Sequence, residues 1–168
     1  METAPATTTR DMVITRTFDA PRELVFKAFT EPERLVQWWG PKNFTTPHCT
    51  IDLRVGGKYH YCMRSPDGDD FWGIGTFQEI VEPERLVYID SFSDADGNVV
   101  SPARYGMEGW PLETKVIMTF EEAGEGKTKF TLTCPDMPTG KGVDMAETGW
   151  GESFDCLVDY LSNVQEEG

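Results

Sequence analysis

Two His–Cys pairs, His48 with Cys49 and His60 with Cys62, are the residues whose types first suggest chemistry. An imidazole beside a thiol is half of a zinc site, or the base and nucleophile of covalent catalysis. The spacing supports neither. No second pair stands at zinc spacing, and Cys49, Cys62, Cys134 and Cys156 are far apart without a C-x-x-C, so no metal is expected. Adjacent residues point to opposite sides of a strand, which separates His48 from Cys49. His60 and Cys62 share a side but lack a third group to orient them. The run Asp94-Ala95-Asp96-Gly97-Asn98 has its glycine fourth rather than sixth, and Tyr105 stands where a calcium loop carries Glu, so it reads as a hairpin turn. Gly140-Lys141-Gly142 lacks phosphate-loop spacing. Of the 29 acids, Asp90, Glu108 and Glu113 lie among apolar residues, where burial would perturb a carboxyl enough for acid–base work. No residue carries a catalytic signature and no cofactor is implied.

The elements that must position these groups are legible from periodicity. Residues 1–10 show none and are read as a flexible tail, with one domain over 11–168. Met12 to Phe18 alternates as a strand. Leu24, Val25, Phe26 and Phe29 make a short apolar helix entered at Pro21. Thr30-Glu31-Pro32-Glu33 fits a capping box for a second short helix through Trp38 and Trp39, stopped at Gly40-Pro41. From Phe44 the period becomes two. Strands are expected at Thr50–Val55, Lys58–Arg64, Phe71–Val81, Leu86–Ser93, Leu112–Phe120 and Lys129–Cys134, with turns at Asp67-Gly68, Asp96-Gly97 and Gly124-Glu125-Gly126. Residues 99–111 read as an irregular loop. From about Met145 to Val164, Trp150, Phe154, Leu157, Val158 and Leu161 fall on one helical face. Gly149 and Gly151 interrupt that pattern, so either the helix begins after them or they admit close packing or ligand space beside Trp150. An antiparallel meander with one buried face needs such a helix to close its concave side.

Composition narrows the partners. At 168 residues with 39% hydrophobic and 26% charged residues, the chain can bury one core without staples. A formal charge of -14 argues against nucleic acid or an anionic membrane surface, both of which need a cationic face. No apolar run reaches the ~18 residues of a membrane span, and no signal-peptide core is present, so membrane insertion is not expected and the cytoplasm is the expected compartment.

Several motifs in order resemble one family. They are Thr17-Phe18-Asp19-Ala20-Pro21, Val25-Phe26-x-Ala28-Phe29-Thr30, Trp38-Trp39-Gly40-Pro41, Gly56-Gly57-Lys58-Tyr59, Met63-x-x-Pro66-Asp67-Gly68, Glu79-Ile80-Val81-x-Pro83-Glu84-Arg85-Leu86-Val87, and Gly149-Trp150 followed by Leu157-x-x-Tyr160-Leu161. Together they are similar to the AHSA-like branch (activator of heat-shock-protein ATPase) of the SRPBCC/START/birch-pollen-allergen helix-grip superfamily. The resemblance implies an α+β helix-grip fold, with about seven antiparallel strands wrapped round a long C-terminal helix and two short helices after strand 1. It also implies an apolar cavity for lipids, polyketides or aromatic molecules. A few such proteins are cyclases or hydrolases, and one branch assists a chaperone. That last role ranks behind the others here, because 168 residues leave no room for the added domain of two-domain co-chaperones. A homodimer is left open.

Ten Phe, five Tyr and five Trp exceed what a small core needs. Either large side chains fill the hollow under the sheet, or a space of some ~300–1,000 Å³ remains for a hydrophobic small molecule. The expected lining is Phe29, Trp38, Trp39, His48, Tyr59, Tyr61, Met63, Trp72, Phe77, Trp110, Met118, Phe130, Trp150 and Phe154. Tyrosine hydroxyls, His48 or Arg104 would orient the ligand's polar end.

Overall fold

Period-two alternation over most of the chain produces seven strands, and the 3.6-residue period at its end produces one long helix. The structure, a computed structural model, describes residues 9–39, 43–105, 110–138 and 141–167. Its elements in order are β1 (Thr9–Phe18), α1 (Arg22–Thr30), α2 (Pro32–Leu35), β2 (Thr45–Ile51), β3 (Lys58–Arg64), β4 (Asp70–Val81), β5 (Arg85–Ser93), β6 (Thr114–Glu122), β7 (Thr128–Pro138) and α3 (Lys141–Glu167). A 3-10 turn, Pro102–Tyr105, lies in the loop between β5 and β6. The strands form one antiparallel sheet of order β1-β7-β6-β5-β4-β3-β2, so the meander β2 to β7 returns to the first strand. This is the expected α+β helix-grip architecture.

The concave face is read from the pairing. Met12 opposes Cys134, Leu86 opposes Met118, Tyr88 opposes both Phe77 and Val116, and all seven are buried. Helix α3 lays Phe154, Leu157 and Leu161 on this face, each 2% exposed or less, while Val158 is 44% exposed and falls outside the apolar stripe expected to hold it. Helix α1 adds Phe29, whose ring stacks on Phe130 (5.0 Å between centroids, 12°) and meets Trp38 edge-on at 4.8 Å. Such pairs add about 0.5–1.5 kcal/mol each beyond their buried area. The Trp38 indole N–H donates to the Ala28 carbonyl (3.1 Å), satisfying its one polar atom in the core.

Several local expectations differ from the structure. Thr30 does not cap α2. It is the last residue of α1, and its hydroxyl donates back to the Phe26 carbonyl (2.9 Å), while Glu31 takes the N-cap position. Helix α2 ends at Leu35, and Gly40 and Pro41 lie outside the described residues. The strand expected at Thr50–Val55 is β2, shifted back to Thr45–Ile51, and Thr9 and Arg10 already belong to β1. Helix α3 runs through Gly149 and Gly151 instead of starting after them. A Cβ at Gly151 would meet the Arg16 guanidinium at an ordinary 3.7 Å, so packing does not require glycine there. Arg16 reaches from β1 to donate to the Gly151 carbonyl (3.2 Å) and to Asp155 (2.9 Å), tying the first strand to the last helix.

Candidate functional site

Strand β4 carries Gly73 and Gly75 on the concave face, and this gap in the side-chain layer shapes the interior. Gly75 opposes Tyr59 on β3 and Asp90 on β5; Gly73 opposes Tyr61 and Phe92. A Cβ at Gly75 would fall inside the Tyr59 ring, and one at Gly73 would come within 2.5 Å of the Tyr61 ring. The two rings therefore lie across the glycines, stacked on each other at 5.6 Å and 12°. Strands two apart are roughly 10 Å apart, and by crossing Gly75 the Tyr59 hydroxyl reaches that far to donate to Asp90 Oδ1 (2.5 Å).

Asp90 is the one acid that the structure brings into the interior from the three singled out by sequence. Glu113 is exposed, and Glu108 lies outside the described residues. Asp90 keeps part of its surface in contact with solvent, but its carboxyl is enclosed by side chains. Burial pushes its pKa up to about 7, against the opposing pull of donors on the Tyr59 hydroxyl and the Ser91 N–H. The Tyr59, Tyr61 and Tyr88 hydroxyls are raised well above the phenol range, by burial first and by the Asp90 charge second. Near neutral pH Asp90 is thus poised between a proton acceptor and a donor.

Among the described residues three buried side-chain atoms lack a hydrogen-bond partner, Arg22 Nε, Trp39 Nε1 and Thr114 Oγ1, and the last two belong to the concave side of the sheet. Thr114 sits directly opposite Asp90 across β5 and β6. The Trp39 ring touches Tyr61 (5.4 Å) and Trp150 (5.3 Å). Buried polar atoms are rarely left unpaired, because each costs about 1–3 kcal/mol.

The void lined by Trp39 and Tyr61 is small, and Asp90, Thr114 and Trp150 lie outside its lining. It encloses about 20 Å³, room for one water-sized molecule, and is an order of magnitude below the space expected from sequence. Aromatic side chains fill most of the hollow. Phe29, Trp39, Tyr59, Tyr61, Phe77 and Met118 surround the void, joined by Leu35, Ile51, Leu86 and Tyr88, which sequence reasoning left out. Phe130 and Phe154 are wholly buried in solid core, as is Trp38. Met63, Trp110 and Trp150 are half-buried against the core.

His48 and Trp72 do not face the interior. Tyr59 and Tyr61 point inward, so the other parity of β3 points outward, and His48 and Trp72 both pair with outward Cys62. There Trp72 stacks on His60 (4.9 Å) and lies 5.4 Å from His48, forming an outer aromatic cluster. Arg104, the other proposed polar anchor, is exposed. The missed residues Tyr88 and Thr114 had a signal: Leu86, Tyr88 and Asp90 alternate, and Gly-x-Gly in one strand faces Tyr-x-Tyr in its neighbour.

The three cysteines of the sheet are poor nucleophiles. Burial pushes Cys49 and Cys134 up to about 12 and raises Cys62 as well, leaving the reactive thiolate scarce. No group of three or more metal-ligating side chains occurs among the described residues.

Comparison with known proteins agrees with the architecture. The family model described as "Activator of Hsp90 ATPase homolog 1-like protein" matches residues 19–162. A Staphylococcus epidermidis protein solved in solution is 25% identical, with a TM-score of 0.75 over 93% of this chain and 92% of that one. A Nitrosomonas europaea protein is 24% identical (TM-score 0.73; 94% and 97%). The AHSA1 protein of Silicibacter pomeroyi is 21% identical (TM-score 0.73; 90% and 97%). At these identities the two latter likenesses bear on fold alone. No curated protein matches the chain.

Proposed function

The chain belongs to the Activator of Hsp90 ATPase homolog 1-like family, and from that premise we propose that it is a small-molecule-binding module whose interior takes an apolar, ring-bearing ligand. The observation that carries this reading is the polar end of an otherwise aromatic interior. Asp90 is a desolvated carboxyl already held by Tyr59, and Thr114 Oγ1 beside it and Trp39 Nε1 on the void lack hydrogen-bond partners among the described residues. The family's fold supports it as a scaffold for ligand binding. The void of about 20 Å³ means that any such ligand enters by parting rings, with half-buried Trp39 and Trp150 nearest the edge of the core. Ligand linkage gives the test: neutral aromatic compounds at a hundred times their Kd should stabilise the fold by about 2.7 kcal/mol and raise its Tm. They should also perturb the NMR signals of the Tyr59, Tyr61 and Trp39 rings. A broad neutral set that moves neither would remove the proposal.

Asp90 favours a second reading, acid–base turnover of a bound molecule, because a carboxyl with a pKa near 7 is matched to proton transfer at neutral pH. Under that reading Asp90→Asn abolishes conversion of a ligand that it still binds. The matched family's description names an ATPase activator; adding this protein to a purified chaperone and finding its ATPase rate unchanged would set that role aside.

A further inference from the structure

The polar end of the interior has a definite sign. Among the described residues the buried polar side chains are Thr30, Thr46, Ser93, Thr114, Thr128 and Ser153, with no Lys, Arg or His. A carboxylate or phosphate ligand would enter without a cationic partner, next to a carboxyl, in a chain of formal charge -14. A cation would meet the reverse. Tyr59 and Tyr88 stand edge to face at 4.9 Å and 84°, and Tyr61 stacks on Tyr59, so three aromatic rings gather round one acid. Aromatic rings around a carboxylate are the arrangement that recognises an organic ammonium, through the negative faces of the rings and one ion pair.

We propose that this interior selects ligands whose apolar, ring-bearing body ends in a protonated amine, held by Asp90 and Thr114 and enclosed by Tyr59, Tyr61 and Tyr88. The proposal rests on the reading of the interior as a ligand site and adds its chemical class. The ammonium donates to the Asp90 carboxylate and to Thr114 Oγ1, which has no hydrogen-bond partner among the described residues. The groups facing Asp90 are Tyr59 and Tyr61 from β3, Tyr88 from β5, Thr114 from β6 and Cys134 from β7, with Gly75 of β4 beneath. None of these is cationic, and burial keeps the phenols and the thiol protonated at neutral pH. Asp90 is therefore the group that changes charge when an ammonium arrives. Binding near pH 6 should draw a proton off it.

The test uses three probes of one skeleton: 2-phenylethylamine, 2-phenylethanol and 3-phenylpropionate. Each is titrated calorimetrically into the full chain and into Asp90→Asn. The amine should bind at least tenfold more tightly than the alcohol, and the carboxylate most weakly. Asp90→Asn should erase the amine's advantage, so that within the variant the amine binds no more tightly than the alcohol. At pH 6, titrations in two buffers of different ionisation enthalpy should show proton release with the amine and not with the alcohol. If the alcohol binds but the amine is no tighter, or its advantage survives in Asp90→Asn, the ammonium preference is wrong while the ligand site stands. If none of the three binds, the ligand-site reading fails and takes this inference with it. Should Asp90→Asn fold poorly, Thr114→Val keeps the carboxyl and should cost the amine more than the alcohol; equal losses would overturn the assignment.

Discussion

Replacing Asp90 with Asn should make the protein more stable at neutral pH. In the unfolded chain this carboxyl titrates at its ordinary value near 3.8, whereas burial holds it at about 7 in the fold. Between those values the folded state binds more protons than the unfolded state, so stability falls as pH rises. The contribution is fully present below about pH 4 and fully lost above about pH 7. Three pH units at 1.36 kcal/mol each amount to about 4 kcal/mol. The asparagine would remain neutral throughout, and its amide oxygen can still accept from the Tyr59 hydroxyl. The exchange of a charged for a neutral acceptor costs about 1 kcal/mol in return. Urea unfolding of both proteins at pH 5, 6, 7 and 8 isolates the effect, because the other titrating groups cancel in the difference. The variant should gain about 1.4 kcal/mol per pH unit on the wild type from pH 5 to 7, then level off. A difference that stays flat over this range, or one that favours the wild type as pH rises, would refute the claim that Asp90 is held in a desolvated site.

Three further substitutions or modifications probe the same frame. Gly75→Ala places a Cβ inside the Tyr59 ring and should cost about 1–3 kcal/mol in chemical denaturation, while shifting the Tyr59 ring signals in NMR. Gly151→Ala has room beside Arg16 within α3 and should raise stability by about 0.5–1 kcal/mol, seen as a higher Tm. Iodoacetamide at pH 8 should leave Cys49 and Cys134 unmodified in the folded protein and alkylate both once urea unfolds it, as mass spectrometry of the peptides will show.

The framework is readable because each strand alternates and each hairpin carries its own turn residues. Gly68 and Gly97, with φ near +90°, sit in turns that an Asp-Gly pair announces. The cap at Thr30 misleads because its hydroxyl has two local partners to choose between, a backbone N–H ahead or a carbonyl behind, and the sequence pattern is the same for both. The parity of β3 is ambiguous for a different reason. Tyr59 and Tyr61 stand on one face and His60 and Cys62 on the other, and hydrophobicity alone does not rank them; the glycines of β4 decide it by leaving room on one side only. Sequence reasoning chooses the tyrosine face of β3 correctly, but without the register of β2 and β4 it puts His48 and Trp72 on the wrong face. The volume of the interior is beyond periodicity altogether, since it depends on how far rings from α1, β3, β4 and β5 interpenetrate.

The bridge from Tyr59 over Gly75 to Asp90 makes three positions one unit of variation. Each residue is tolerable because of the other two: the glycine clears the path, the tyrosine spans it, and the acid ends it. A change at one position should release the constraint on the next. In a Tyr59→Ala background the ring atoms nearest the Cβ of Gly75→Ala are gone, so its penalty should largely vanish. Relatives that lack the acid should accordingly be free to carry side chains on the middle of this strand, and to enclose an interior of different depth and polarity on the same seven strands.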